Sequence, residues 1–431
     1  MITKELNTEF WVISDTHLIA DSLHDEGQAF SRMQKTSQGK DLYYQEIALS
    51  AFMRMAQRKK PAAIIVTGDV TFNGERVSAE KFAQIFKPLK ETKVLVLPGN
   101  HDIFDGWARE FRGKKQFYAG EISPMFWRSI FDKSYREALD EDDNSLAYSV
   151  QLNPQYLLVL ADSNIYGKEE TTEAPHTHGE IGKVQLKWIE KQFRYAQEHQ
   201  LRPVLFMHHN LYAHNPAVNK GYVVDDAVEL RRLCARYNVK LAFSGHIHAQ
   251  NIMGPQDMTP TTEIVTSSFC SNDQGYGVVR VHSRHITYVR RNFDMTRYLT
   301  DEEKENYTLV HYHKYLKDLQ LGSISADMMQ SELNQYHEDI ELVRAMGNLF
   351  GWMNYHFFNG HNHIKASELN KIHASKEYQV LIKHHPEYRL YLKTLYDTSD
   401  HSNLQVKIRY QTNFSIMDTD SKESGHDYVK R

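Results

Sequence analysis

The sequence predicts an α/β fold built on a sheet with parallel crossovers, followed by a smaller, mostly helical second domain. Three observations predict it. Short apolar runs alternate with segments of helical periodicity through roughly the first two thirds of the chain. Several of those runs end in a turn that carries Asp, Asn or His. Near residue 295 glycines and β-branched runs thin out and helical patterns take over. A strand, helix, strand, helix order requires crossover connections, and open α/β sheets place their sites at the C-terminal ends of such strands.

In order, residues 9–14 form an apolar run ending at Asp15, and 43–59 place Ile47, Leu49 and Phe52 at helical spacing. Residues 62–67 are a continuous Ala/Ile/Val strand ending at Gly68-Asp69; 78–90 are a helix; 94–97 are a strand ending at Pro98-Gly99-Asn100. Residues 104–140, aromatic and charged, are expected as helices over the rim of a site. Residues 145–151 and 156–161 make a hairpin around Asn153-Pro154, and 163–180 are a polar loop containing His176 and His178. Helices are expected at 183–199 and 225–237. Strands are expected at 204–207, ending at His208, and at 239–243, ending at Gly245-His246. Antiparallel strands at 263–268, 276–282 and 285–290 close a first domain of residues 1–295. The second, 296–431, reads as helices at 301–319, 325–349, 366–374 and 376–395, with a polar, disordered tail after about Asp418. Its aromatic segment Gly351–His363 reads as helical-domain core, with a lid or a dimer surface as the alternatives.

Bulk properties exclude several classes. A chain of 431 residues exceeds one ordinary core. A net charge of −4 gives no bulk attraction to nucleic acid. Only Cys234 and Cys270 occur, far apart, so no disulfide framework is expected and a reducing cytoplasm fits. There is no signal-peptide pattern and no apolar run long enough to insert in a membrane. Of the 24 histidines, those of the C-terminal part lack an accompanying acidic pattern and read as surface or packing residues.

The strand-end residues carry the chemistry. Asp15 and His17 stand in Asp-Thr-His, Asp69 in Gly-Asp, and Asn100, His101 and Asp102 in Gly-Asn-His-Asp. His208 and His209 follow Met207, and His246 and His248 stand in Gly-His-Ile-His. Each piece alone is weak; all five in order, each after a strand, specify a site for two adjacent metals. Asp15 and His17 can aim at one metal, Asp69 can bridge both at a separation of ~3.5–4 Å, and Asn100 offers a neutral oxygen to the second. His246 and His248 can reach different metals. Gly68, Gly99 and Gly245 suit tight turns and close backbone approach.

This ordered pattern resembles the calcineurin-like metallophosphoesterase superfamily over roughly residues 8–290, with all five motifs unsubstituted. Within it the opening motif, Met-His-His and the added helical domain look most like bacterial class III cyclic nucleotide phosphodiesterases. The resemblance implies a metallophosphoesterase-type β-sandwich flanked by helices, four layers αββα, plus the small helical C-terminal domain. It implies Asp15, His17, Asp69 and His248 at a first metal, and Asp69, Asn100, His208 and His246 at a second. The ions would be Mn, Fe, Zn or a mixed pair. It implies that His101 assists the leaving group and that Asp102 orients His101, although Asp102 also suits a turn-capping role. A metal-bridging hydroxide, its pKa lowered toward ~7, would attack phosphorus.

The expected partner is a small phosphorylated substrate, a cyclic or other small nucleotide. Asn73, His209 and Tyr212 are expected substrate contacts, with His176, His178 and His214 further loop candidates. His209 reads equally as a packing residue and Tyr212 as a base-stacking one. The alternatives are a phosphomonoesterase or protein phosphatase on the same fold, or a non-catalytic scaffold. Oligomers through the helical domain stay open.

Overall fold

A computed structural model describes residues 1–410 apart from 170, 257, 272, 336–338 and 400. The tail expected to be disordered lies outside the described residues. Its strands in chain order are β1 (Thr8–Ile13), β2 (Ala63–Thr67), β3 (Lys93–Leu97), β4 (Arg109–Arg112), β5 (Lys115–Tyr118), β6 (Asp140–Glu141), β7 (Tyr148–Asn153) and β8 (Tyr156–Leu160). They continue as β9 (Arg202–Phe206), β10 (Leu241–Ser244), β11 (Asn251–Met253), β12 (Thr262–Val265), β13 (Gly275–Val281), β14 (His285–Asn292) and β15 (Gln405–Arg409).

Two sheets pack face to face, one ordered β15-β14-β13-β1-β2-β3 and the other β11-β12-β10-β9-β8-β7-β6. One end of the first sheet is parallel, β1-β2-β3, and so is the middle of the second, β8-β9-β10-β12. Side-chain alternation builds the layers. Phe10 of β1 meets Phe206 and Phe243 of the second sheet at ring separations of 6.2 and 6.4 Å. Its neighbour Trp11 points the other way, to Phe52 of helix Gln45–Lys59, at 5.6 Å. Helices Gly182–Glu198 and Ala227–Arg236 cover the second sheet's outer face through Trp188, Ile189, Phe193 and Leu230. Burial on both faces explains why strands such as Ala63–Thr67 are apolar throughout. The layers are therefore α, β, β, α.

Three expectations are corrected. Residues 104–140 are not all helical: β4 and β5 form a hairpin turning at Gly113, φ +56°, before the short helices Pro124–Ile130 and Asp132–Tyr135. A break between 319 and 325 does not occur, because helix Tyr312–Gln335 runs through Gly322. A glycine inside a helix costs only ~1 kcal/mol. Where this helix meets the next, Ile340–Phe358, the packing is close: a Cβ at Gly351 would lie 2.6 Å from Ser325 Oγ. The last expected helix breaks near Pro386 into Lys376–His384 and Tyr388–Thr394. Beyond the helices, β15 returns to the first sheet and pairs with β14, Ile408 opposite Ile286. The segment 351–363 supplies core, with Met353 and Phe357 buried and Trp352 exposed. That core packs on Ile247 and Ala249, so the helices sit on the Gly-His-Ile-His loop. No helix among the described residues is long and apolar enough to cross a membrane.

Candidate metal centre

Strands β1, β2, β3, β9 and β10 all end at one edge of the sandwich, and each hands its following loop to the same point. The loops are tied together through the backbone: Asp15 N–H donates to Gly68 O at 3.0 Å, His17 N–H to Asp69 O at 3.0 Å, and Gly245 N–H to His208 O at 3.0 Å. Asp15, His17, Asp69, His246 and His248 all adopt positive φ, between +40° and +69°. Non-glycine residues avoid this region at a cost of roughly 1–3 kcal/mol each, and it persists where surrounding structure imposes it, most often at functional sites.

Two groups of ligand atoms result, Asp15, His17, Asp69 and His248 in one and Asp69, His208 and His246 in the other. Within each, the ligand atoms lie within 4.8 Å of one another. In the first, His17 Nε2 and His248 Nε2 are 3.0 Å apart, with Asp15 Oδ1 3.3 Å from His248 Nε2 and Asp69 Oδ2 3.7 Å from His17 Nε2. In the second, His208 Nε2 lies 3.4 Å from Asp69 Oδ1 and 3.1 Å from Asn100 Oδ1. Asp69 belongs to both groups.

The donors fit divalent ions. A ligating imidazole donates its other N–H to a fixed acceptor. His208 Nδ1 is 2.8 Å from Thr67 O, which leaves Nε2 to face Asp69. His246 Nε2 is 3.0 Å from Thr177 O and 3.1 Å from Gly221 O, which leaves Nδ1. Burial, then the positive charge of Lys40, holds His17 well below the ordinary imidazole range. Burial and the neighbouring His208 bring His246 down to about 3. Asp69 loses to burial but gains more from His208 and His101, so its carboxyl stays well below the usual range. Neutral imidazoles and an ionised carboxylate are the forms that bind metal. Burial opposes charge on His208 too, yet Asp69 raises it to about 9, the mark of a site whose carboxylate seeks a cation.

Gly68 and Gly99 make the approach possible. Gly68 has φ +93°, and a Cβ there would lie 2.4 Å from His208 Nδ1. At Gly99 it would lie 2.2 Å from the amide nitrogen and Oδ1 of Asp69. Gly99→Ala should therefore displace Asp69, backbone and carboxylate together, and lower both metal stoichiometry, read by elemental analysis, and melting temperature.

His101 sits beside the first group, its ring 5.4 Å from that of His17. The expectation that Asp102 orients it is corrected. Asp102 Oδ2 accepts from Val70 N–H and Gly99 N–H, and Oδ1 from Thr71 N–H and Thr71 Oγ1. It braces the two loops. The carboxylate facing His101 Nδ1 is Asp105, with Oδ2 at 3.4 Å. Burial disfavours a charged His101, but Asp69 and Asp105 raise its pKa above the ordinary value. Sequence reasoning missed Asp105; its place four residues past His101 was the available signal.

Other expected contacts fall elsewhere. Tyr212 is buried, and its hydroxyl donates to Thr261 O at 2.9 Å, so no base can stack on it. His214 spends both ring nitrogens, on Asn251 Oδ1 and Glu263 Oε2. His209 is fully buried behind His246, ring centres 4.4 Å apart, with Nδ1 2.9 Å from Ser163 Oγ; it packs and does not reach substrate. His176 is exposed and His178 pairs with Asp225 at 3.1 Å. The loop between them acts through the Thr177 carbonyl on His246. Asn73 is buried beside Gly74, whose Cβ position abuts Asp105 and the His101 carbonyl. Cys234 and Cys270 are free and buried.

Comparison with known proteins agrees with this geometry. Residues 8–250 match the family described as calcineurin-like phosphoesterase. Residues 294–402 match the C-terminal domain of cyclic nucleotide phosphodiesterase. A probable glycerophosphodiester phosphodiesterase, GpdQ, of Arcobacter nitrofigilis is 27% identical over 199 residues, 44% of this chain. The chain spans only 58% of that relative's length. The 3′,5′-cyclic adenosine monophosphate phosphodiesterase CpdA of Escherichia coli K12 is 24% identical over 257 residues, 57% of this chain and 79% of the relative. The crystal structure of a dimetal phosphatase from Danio rerio superposes with a TM-score of 0.50 at 13% identity, over 66% of this chain and 96% of that one, a likeness of fold.

Proposed function

The chain belongs to the calcineurin-like phosphoesterase family, and we propose from there that it is a two-metal phosphodiesterase acting on cyclic or other small nucleotides. The observation that carries the reading is Asp69, one carboxylate shared by two converging ligand groups. Asp15, His17, Asp69 and His248 would hold one ion, and Asp69, Asn100, His208 and His246 the other. Mn, Fe and Zn all suit such a mixed oxygen and imidazole set. When bound, two such ions supply charge neutralisation for the phosphate and a source of hydroxide near neutral pH.

The remaining work falls to the chain's own groups. His101, with Nδ1 turned to Asp105, holds a proton on Nε2 for the departing oxygen. Asp105 fixes the ring and favours its protonated form. The Thr67, Thr177 and Gly221 carbonyls fix which nitrogen His208 and His246 present. A cyclic nucleotide as substrate is supported by the match of residues 294–402 and by the likeness to CpdA.

The test is hydrolysis of bis-p-nitrophenyl phosphate beside p-nitrophenyl phosphate, on metal-stripped protein titrated with Mn²⁺. The expected result is metal-dependent turnover with the diester preferred, followed by cleavage of 2′,3′- or 3′,5′-cyclic nucleotides. Preference for the monoester would move the assignment to a phosphatase. Two bound metals with no turnover of dyes or cyclic nucleotides would overturn the nucleotide diesterase.

A further inference from the structure

Strand β3 is the outermost of the first sheet. A cavity of about 660 Å³ lies against it, walled by helix Arg76–Phe86 on one side and helix Asp132–Tyr135 on the other. That volume falls within the ~300–1,000 Å³ of small-molecule sites. None of the lining residues belongs to the metal centre or to the loops that build it.

The floor of the cavity is apolar. Ser134 Oγ donates to Val94 O at 2.9 Å and Tyr148 Oη to Val96 O at 3.0 Å, so an added peptide strand finds these carbonyls of β3 already taken. Ala83, Leu89, Val94 and Ile130 line the cavity, half-buried and packed on the main core from outside. Beneath them Phe82 lies 4.8 Å from Phe86 and 6.2 Å from Phe131, centre to centre. These three rings are at most 5% exposed, so no ring face is open to stack on a base.

The rim is basic, and its acids are occupied. Glu80 pairs with Arg76 at 2.8 Å, Asp132 with Arg136 at 2.5 Å and Glu137 with Lys93 at 2.5 Å. Lys87, Lys90 and Lys133 also line the cavity and are exposed, and among the described residues they pair with no acid. Three ammonium groups without counter-charge beside an aliphatic floor match one anionic head on an aliphatic chain. We propose that this cavity binds a small aliphatic anion, its chain over Ala83, Leu89, Val94 and Ile130 and its head among Lys87, Lys90 and Lys133. Lysine suits such a head as a compact charge on a flexible stem. A nucleotide does not suit the cavity, because its base would meet aliphatic carbon and no stacking plane. The site stands whether or not the chain cleaves phosphoesters.

The test titrates the full chain by calorimetry with decanoate below its micelle concentration, on Mn²⁺-loaded and metal-stripped protein alike. Saturable binding of one decanoate per chain is expected in both. Octanoate should bind ~10-fold more weakly, the worth of two buried methylenes. Acetate, which lacks the chain, should not bind to metal-stripped protein, and decanol, which lacks the charge, should bind more weakly than decanoate. Lys87→Gln, Lys90→Gln and Lys133→Gln together should weaken decanoate by ~5–10-fold, the combined worth of three exposed charge pairs, with an unchanged melting temperature. Ala83→Phe should block the chain by filling the floor. Equal decanoate affinity in wild type and the triple lysine variant would overturn the assignment. So would binding that vanishes when the metals are stripped, which would put the carboxylate at the metal centre, and so would binding without saturation.

Discussion

Asp69→Asn is expected to lower phosphoester turnover by at least ~10³-fold, because a metal's charge stabilisation is worth several kcal/mol and each 1.4 kcal/mol is tenfold. Metal content should fall with it. Asp69 is the sole member common to both ligand groups, with Oδ2 toward His17 and Oδ1 toward His208. An amide keeps the shape and one acceptor oxygen but loses the charge, so neither ion finds a full complement of ligands. Oδ1 also accepts the N–H of His101 at 3.0 Å, so the variant loosens the loop bearing the proposed acid. Elemental analysis beside the diester assay checks both parts. Two tightly bound metals in the variant would show that the bridge lies elsewhere.

The second result separates two neighbouring aspartates. His101→Ala should cut turnover by ~10²–10⁴-fold with metals retained, the usual worth of general acid help. Asp105→Asn should cost ~10–100-fold, as loss of a carboxylate orienting a functional imidazole does. It should also move the alkaline limb of the rate profile. The acid works while His101 is protonated, and Asp105 raises its pKa, so activity persists as pH rises until that raised pKa is passed. Removing the Asp105 charge lowers the pKa, and the descending limb should shift to lower pH. Bound metals would offset the contribution of Asp69 but not that of Asp105. Asp102→Ala should act differently. It strands four donors at Val70, Thr71 and Gly99, so the melting temperature falls by an amount equivalent to about 3 kcal/mol or more. A normal melting temperature with a shifted pH profile in Asp102→Ala would reverse the roles of the two residues.

The strands, the α/β class and the residues that converge at the candidate site were legible because each is a local pattern. An apolar run buried on both faces announces a strand such as Ala63–Thr67, and a turn carrying Asp, Asn or His at its end announces what that strand delivers. Gly68 and Gly99 were legible for the same reason, since a chain that must turn and pass within contact of its neighbour needs residues without a Cβ. Where a side chain's fate depends on distant partners, no such pattern exists. Tyr212 sits six residues past the end of β9, where a substrate contact is expected, but Thr261 and Glu263 of another segment hold it in the interior. Asp102 and Asp105 are both acidic and both near His101 in sequence. Which one faces the ring depends on the Asp69–Thr71 loop, which fills the hydrogen-bonding capacity of Asp102 and leaves Asp105 for Nδ1. Likewise β15 joins the first sheet across more than a hundred intervening residues, and Tyr312 reaches back to Asp41. Periodicity and turn chemistry report on neighbours along the chain, so they name the groups that arrive at the site. The pairing among those groups follows from the packing of two sheets and a helical layer, in which contacts far apart in sequence compete for the same donors and acceptors.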